Sequence, residues 1–128
     1  MIIARTPNDN LFNYTECEEL YNKNRELVGD DEFDDIIRRT DFYSFIIWQN
    51  NELIGCIYYY KPDGSRTYVN AFAERGHHKL NLECLKESLS HRTEDVIYAE
   101  TKHRTAALCL YRVGFKKIGD NLYEYRRK

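Results

Sequence analysis

Residues 96–128 read VIYAE (96–100), TKHRTAALCLYRVGFKKIG (101–119) and, after Asp120, NLYEYRRK (121–128). The first stretch is short and rich in β-branched and aromatic residues, which predicts a strand over Asp95–Thr101. The second predicts a helix over His103–Val113. Gly114 is placed to close it, because a helix end often needs the left-handed backbone that glycine adopts freely. The third closes a hairpin, Phe115–Ile118 against Leu122–Arg126, around Gly119-Asp120.

Working toward the N-terminus, Leu82, Leu85 and Leu89 share one face of a helix predicted over His78–His91. Before it come three strands: Phe42–Gln49, Leu53–Tyr60 and Arg66–Ala73. Asn50-Asn51 turns the first into the second, and Lys61-Pro62-Asp63-Gly64 turns the second into the third. Two helices precede this meander. Asn13-Tyr14-Thr15 offers caps for the first, with Glu18 three residues beyond Thr15 as in a capping box. Cys17, Leu20, Tyr21, Asn24 and Leu27-Val28 follow at helical spacing until Gly29. The second is short, Glu32–Arg39, with Phe33, Ile36 and Ile37 inward. Met1–Arg5 is a short apolar strand stopped by Thr6-Pro7. The order is β-α-α-β-β-β-α-β-α-β-β, an α/β (α+β) pattern that predicts a mixed, mostly antiparallel sheet with helices on both faces. No repeat, linker or low-complexity segment divides the chain, so one domain over residues 1–128 is expected.

Composition narrows the function classes. A net charge of −2 argues against nucleic acid as a partner. The acidic run Asp30–Asp35 lacks the glycine and distal glutamate of a calcium loop. Cys17, Cys56, Cys84 and Cys109 form no C-x-x-C pair, so no metal or dithiol centre is predicted, and buried free thiols are expected. No apolar run approaches membrane-spanning length and no signal peptide is visible, which predicts no membrane association and a cytoplasmic location. Eleven Tyr among 128 residues is high. A tyrosine-rich sheet accounts for this, and so does an interaction surface, the sheet being weighted higher.

The run from Ala106-Ala107 through Leu110-Tyr111 to Gly114-Phe115 resembles the final helix and turn of GCN5-related N-acetyltransferases (GNAT), roughly N-x-x-A-x-x-x-Y-x-x-x-G-F. The predicted element order is similar to that family's across nearly the whole chain, whereas the residue likeness begins near Ala71. The resemblance implies a GNAT-like fold. It also implies a pyrophosphate loop, Q/R-x-x-G-x-G/A, whose glycines let backbone amides at a helix start approach the phosphates of acetyl-CoA. The corresponding segment is Glu74-Arg75-Gly76-His77-His78-Lys79-Leu80. With Arg75 as its start, His78 and Leu80 stand where glycines are required. Arg75, Gly76, His77, His78 and Lys79 are then the candidate cofactor-binding residues, with cations replacing part of the amide cradle.

In the family, a tyrosine four residues before the turn glycine protonates the leaving thiolate. Counting back from Gly114 gives Leu110; Tyr111 is one residue late, about 100° around the helix. A turn shortened by one residue would restore it. The family's cofactor-contacting Asn corresponds to His103. If the protein is active, Tyr111 is the candidate acid, Glu74 or Glu100 the base, and acetyl-CoA the cofactor. These departures favour a non-catalytic GNAT-fold protein that needs no cofactor and acts through other proteins, including copies of itself. A looser likeness to small head-assembly proteins of short-tailed bacteriophages adds virion proteins as partners, and the virion or host cytoplasm as location. The alternative is an N-acetyltransferase with a variant loop, acting on a small amine or a protein amine.

Overall fold

The computed structural model describes residues 2–5, 14–25, 32–33, 35, 43–49, 52–62, 65–73 and 78–127. The apolar and aromatic runs become seven strands: β1 (Ile2–Arg5), β2 (Tyr43–Gln49), β3 (Glu52–Tyr60), β4 (Tyr68–Ala73), β5 (Val96–Glu100), β6 (Lys116–Gly119) and β7 (Leu122–Arg126). The helices that lie whole among the described residues are α1 (Tyr14–Lys23), α2 (His78–Ser90) and α3 (Arg104–Val113). Of the short helix expected over residues 32–39, only Glu32, Phe33 and Asp35 are described, and Phe33 is buried. Ile36 and Ile37 lie outside the described residues.

One sheet in the order β1-β2-β3-β4-β5-β7-β6 holds all seven strands. Its pairings are antiparallel except β4–β5. Strand periodicity sends alternate residues of β3 to opposite faces. Ile57 and Tyr59 join the cluster that receives Leu85 and Leu89 of α2 and Leu110 of α3. Cys56 and Tyr58 join the one that receives Cys17, Leu20 and Tyr21 of α1 together with Phe33. Helices therefore cover both faces. The alternation skips once: Ile54 lies with Ile57 and Tyr59, not with Cys56. A register shift at this point, where Ile47 pairs with Gly55 but Trp48 with Leu53, accounts for the skip, since a bulge inserts one residue and flips the side-chain parity.

The tyrosine surplus is largely sheet packing. Tyr58, Tyr60, Tyr68 and Tyr98 form a ladder across β3, β4 and β5, with ring centroids 5.4, 6.1 and 5.7 Å apart. Asn70 donates to the buried Tyr58 hydroxyl at 2.8 Å.

Two local expectations are corrected. Helix α1 begins at Tyr14, so Thr15 is already inside its first turn and is not the cap; Glu18 instead accepts a hydrogen bond from the Tyr14 hydroxyl at 3.3 Å. The last hairpin turns at Asp120-Asn121, one residue later than expected. Asn121 adopts φ 58°, a left-handed conformation that its short polar side chain tolerates, and Gly119 pairs with Leu122. Among the described residues, Cys17, Cys56 and Cys84 are buried and Cys109 half-buried, all as free thiols.

Candidate functional site

Strands β4 and β5 share one register pair, Tyr68 with Tyr98, fastened by the Tyr98 amide donating to the Thr67 carbonyl at 2.9 Å. Past that rung they part. Meanwhile β4 stays paired to β3 up to Ala73 opposite Gly55, and β5 stays paired to β7 up to Glu100 opposite Leu122. Each half of the sheet is thus intact to its tip, and an opening forms between the carboxyl ends of the two parallel strands. This is where sheets with a change in strand order place ligands.

The chain leaves β4 into α2 and leaves β5 into α3, so both helices begin at the opening. Neither has an acidic residue in its first turn, which leaves the positive end of each helix dipole available to an anion. At α3 the cap is His103, in extended conformation with φ −97° and ψ 129° and no capping bond from its side chain. Its amide donates to Thr101 Oγ1 at 3.1 Å, and its carbonyl accepts from Ala107 at 3.0 Å. Thr101 is tied in turn to the Asn121 carbonyl at 2.9 Å. Thr101 was not singled out from sequence; a threonine two residues before a helix cap is the local signal that would have found it. Near the start of α2, Asn81 Oδ1 is buried with no hydrogen-bond partner among the described residues.

Of the residues singled out from sequence, Glu74, Arg75, Gly76 and His77 lie outside those described. His78 opens α2, Lys79 is exposed beside it, and Glu100 is exposed at the tip of β5. The topology thus brings His78, Lys79, Glu100 and His103 to the opening. Tyr111 is placed differently. Gly114 takes φ 109° at the end of α3; its amide donates to Tyr111 O at 3.1 Å, and the Phe115 amide donates to Leu110 O at 2.9 Å. These two bonds make a full-length Schellman turn, so no residue is missing from it. Leu110 is 7 % exposed within the core. Tyr111 is 52 % exposed, its ring edge-on to Tyr123 of β7 at 5.8 Å. Since β5 stands between β7 and β4 in the sheet, this contact holds Tyr111 on the side away from the opening.

The residues fit an acyl-CoA in part. The opening and the two helix starts without acidic residues in their first turns suit its phosphates. No hydroxyl of α3 stands at the Leu110 position to serve a leaving thiolate. Among the described residues no cluster of His, Cys, Asp or Glu is arranged to hold a metal, and no helix is long and apolar enough to cross a membrane.

This is the fold of the GCN5-related N-acetyltransferases. The chain superposes on Tetrahymena GCN5 with a TM-score of 0.67 at 15% identity, covering 98% of this chain and 95% of the other. On the aminoglycoside 6'-N-acetyltransferase from Enterococcus faecium the TM-score is 0.70 at 10% identity, covering 98% and 96%. On a GNAT family acetyltransferase from Elizabethkingia anophelis, solved with acetyl-CoA bound, it is 0.61 at 17% identity, covering 99% and 97%. Identities this low carry the fold and not the activity. No protein-family model and no curated protein matches the sequence.

Proposed function

We propose that this GNAT-fold protein acts through contacts with other proteins and not through acyl transfer. One observation carries the reading: the full-length turn at Gly114 sets Leu110 in the core at the acid position and holds Tyr111 against Tyr123. A direct attack on a thioester expels a thiolate, and a positioned proton donor typically contributes 10²–10⁴-fold to such a step. Virion or head-assembly proteins of a short-tailed phage are the partner class that the sequence resemblance suggests. The test is an assay for thiol release from acetyl-CoA over a broad panel of amines. No release above the spontaneous rate is expected, and turnover with any amine overturns the reading.

A second reading has support from the opening itself. The separated β4 and β5 and the helix starts free of acidic residues favour acetyl-CoA binding. When bound, the cofactor would supply the acetyl thioester. Lys79 and the backbone at the start of α2 would hold phosphate, and His103 would line the pantetheine side. Glu100 would take a proton from an incoming amine. Calorimetric titration separates the readings: micromolar acetyl-CoA binding together with turnover establishes the enzyme, and binding without turnover leaves a retained ligand site on a protein of another function.

A further inference from the structure

Helices α1 and α3, which cover opposite faces of the sheet, carry opposite charge: α1 holds Glu16, Glu18 and Glu19 against Lys23, and α3 holds Arg104 and Arg112 with no acidic residue. Residues 1–64 hold six Lys or Arg against thirteen Asp or Glu, and residues 65–128 hold thirteen against eight. Helix α1 covers one face of the sheet and α3 the other. On α1, Glu16 and Glu19 are exposed, and next to that helix Glu32 lies 3.5 Å from Arg25. The stretch 101–118 contains five Lys or Arg and no acidic residue; Lys102 just precedes α3, Arg104 and Arg112 lie on it, and all three are exposed.

Within that basic surface lies an apolar anchor. Leu108 is 49 % exposed and Tyr111 52 %. On a helix of 3.6 residues per turn, Arg104, Leu108, Tyr111 and Arg112 fall within about 60° of Leu108, so the anchor is flanked by guanidinium groups. Large apolar side chains ringed by like charge mark a contact surface for a partner of opposite charge. We propose that this face of α3 docks the acidic α1 face of a second copy of the chain. The two patches sit on opposite faces of one sheet, so a single pair of copies cannot satisfy both at once. The contact is head-to-tail and continues into an open chain or a ring. Arg112 and Arg104 supply the charge facing Glu16 and Glu19, and Leu108 and Tyr111 exclude water at the centre. The inference rests on the protein-contact reading and names one partner for it, whereas that reading stands or falls on acyl transfer.

The experiment is sedimentation velocity over a concentration series at low and high salt. Growth in mass with concentration near 0.1 M salt is expected, with dissociation toward 1 M, where the screening length falls from about 10 Å to about 3 Å. Two double variants sharpen it: Leu108→Ser with Arg112→Glu on the basic face, and Glu16→Lys with Glu19→Lys on the acidic face. All four residues are exposed, so melting temperatures close to the parent's will verify folding. Each variant alone should associate at least about tenfold more weakly. Mixed one to one they retain a single intact interface, and a dimer that grows no further is expected. A parent that is monomeric throughout, a double variant that still assembles, or a mixture that does not dimerise each overturns the proposal. So does a salt-sensitive complex with a single-stranded oligonucleotide that forms in place of self-association.

Discussion

The Ser88 hydroxyl donates to the Leu85 carbonyl at 2.9 Å and lies 2.7 Å from the Tyr59 hydroxyl. A serine has one hydrogen to give, so Tyr59 must be the donor in the second bond. The buried tyrosine of β3 is thereby fastened to α2 through a hydroxyl whose own proton is already committed. Ser88→Ala removes the acceptor of the buried Tyr59 hydroxyl. A loss of about 1–3 kcal/mol in denaturant unfolding is expected, and Tyr59→Phe with Ser88→Ala together should cost less than the sum of the two.

Alkali should weaken the fold through the same residue. Burial pushes Tyr59 up from 10.0 to about 12, with the Arg92 charge opposing. Buried Tyr58 is raised as well, again by burial first. A raised tyrosine keeps its proton in the folded state while the unfolded chain loses it. Stability is therefore fully present below pH 10 and is lost as pH rises toward 12, by ~3 kcal/mol for Tyr59. Denaturant midpoints between pH 9 and pH 11.5 check this, and Tyr59→Phe should flatten the decline.

At the acid end the sign reverses. Burial would raise the Glu94 carboxyl, but the bond from Arg92 and bonds from its own backbone and Thr67 bring it below its usual value. Its contribution is present above the unfolded-state value and fades as pH falls through the folded one. Glu94→Gln should make the acid limb of the stability profile shallower.

Arg127 clasps the end of the chain to α2. Its Nε donates to the Glu94 carbonyl at 3.0 Å and its Nη2 to the Leu89 carbonyl at 2.9 Å. Leu89 lies in the last turn of α2, where carbonyls lack helical partners. Arg127→Ala should cost about 1.5–3 kcal/mol. Arg127→Lys should not restore it, because an ammonium lacks the fork that reaches two acceptors. Thermal melts of the three proteins decide.

Gly114 tests the register of α3. At φ 109° a side chain is strained even though an added Cβ would meet the Tyr125 ring at an ordinary 3.5 Å. Gly114→Ala should destabilise by about 1 kcal/mol and Gly114→Val by more. A valine variant that melts like the parent would undo the argument that Tyr111 is held away from the opening.

Much of the fold was legible because its signals are local. Aromatic and β-branched runs marked β2, β3 and β5, and Gly114 marked the end of α3 to the residue. What escaped depends on partners distant in sequence. Tyr68 and Tyr98 face each other across a parallel pair, and Arg127 finds carbonyls 33 and 38 residues away. No local pattern announces either. Thr15 misled because hydroxyl residues also occur inside a first turn, and the hairpin turn, expected around Gly119-Asp120, shifted because Asn121 takes the left-handed position. At the site, His103 and Leu110 could be placed by counting from one glycine, whereas Thr101 matters only once the strands have parted.

The single rung between β4 and β5 has a mechanical consequence. Strands β1 to β4 pair in chain order, and β5 to β7 close on themselves as a second local unit. The rung at Tyr68 and Tyr98 is a seam between two cooperative blocks, stitched by α2 and α3 packing into one core. Amide exchange should therefore divide at this line, with the two blocks opening at different free energies. A molecule tethered across the seam would couple them.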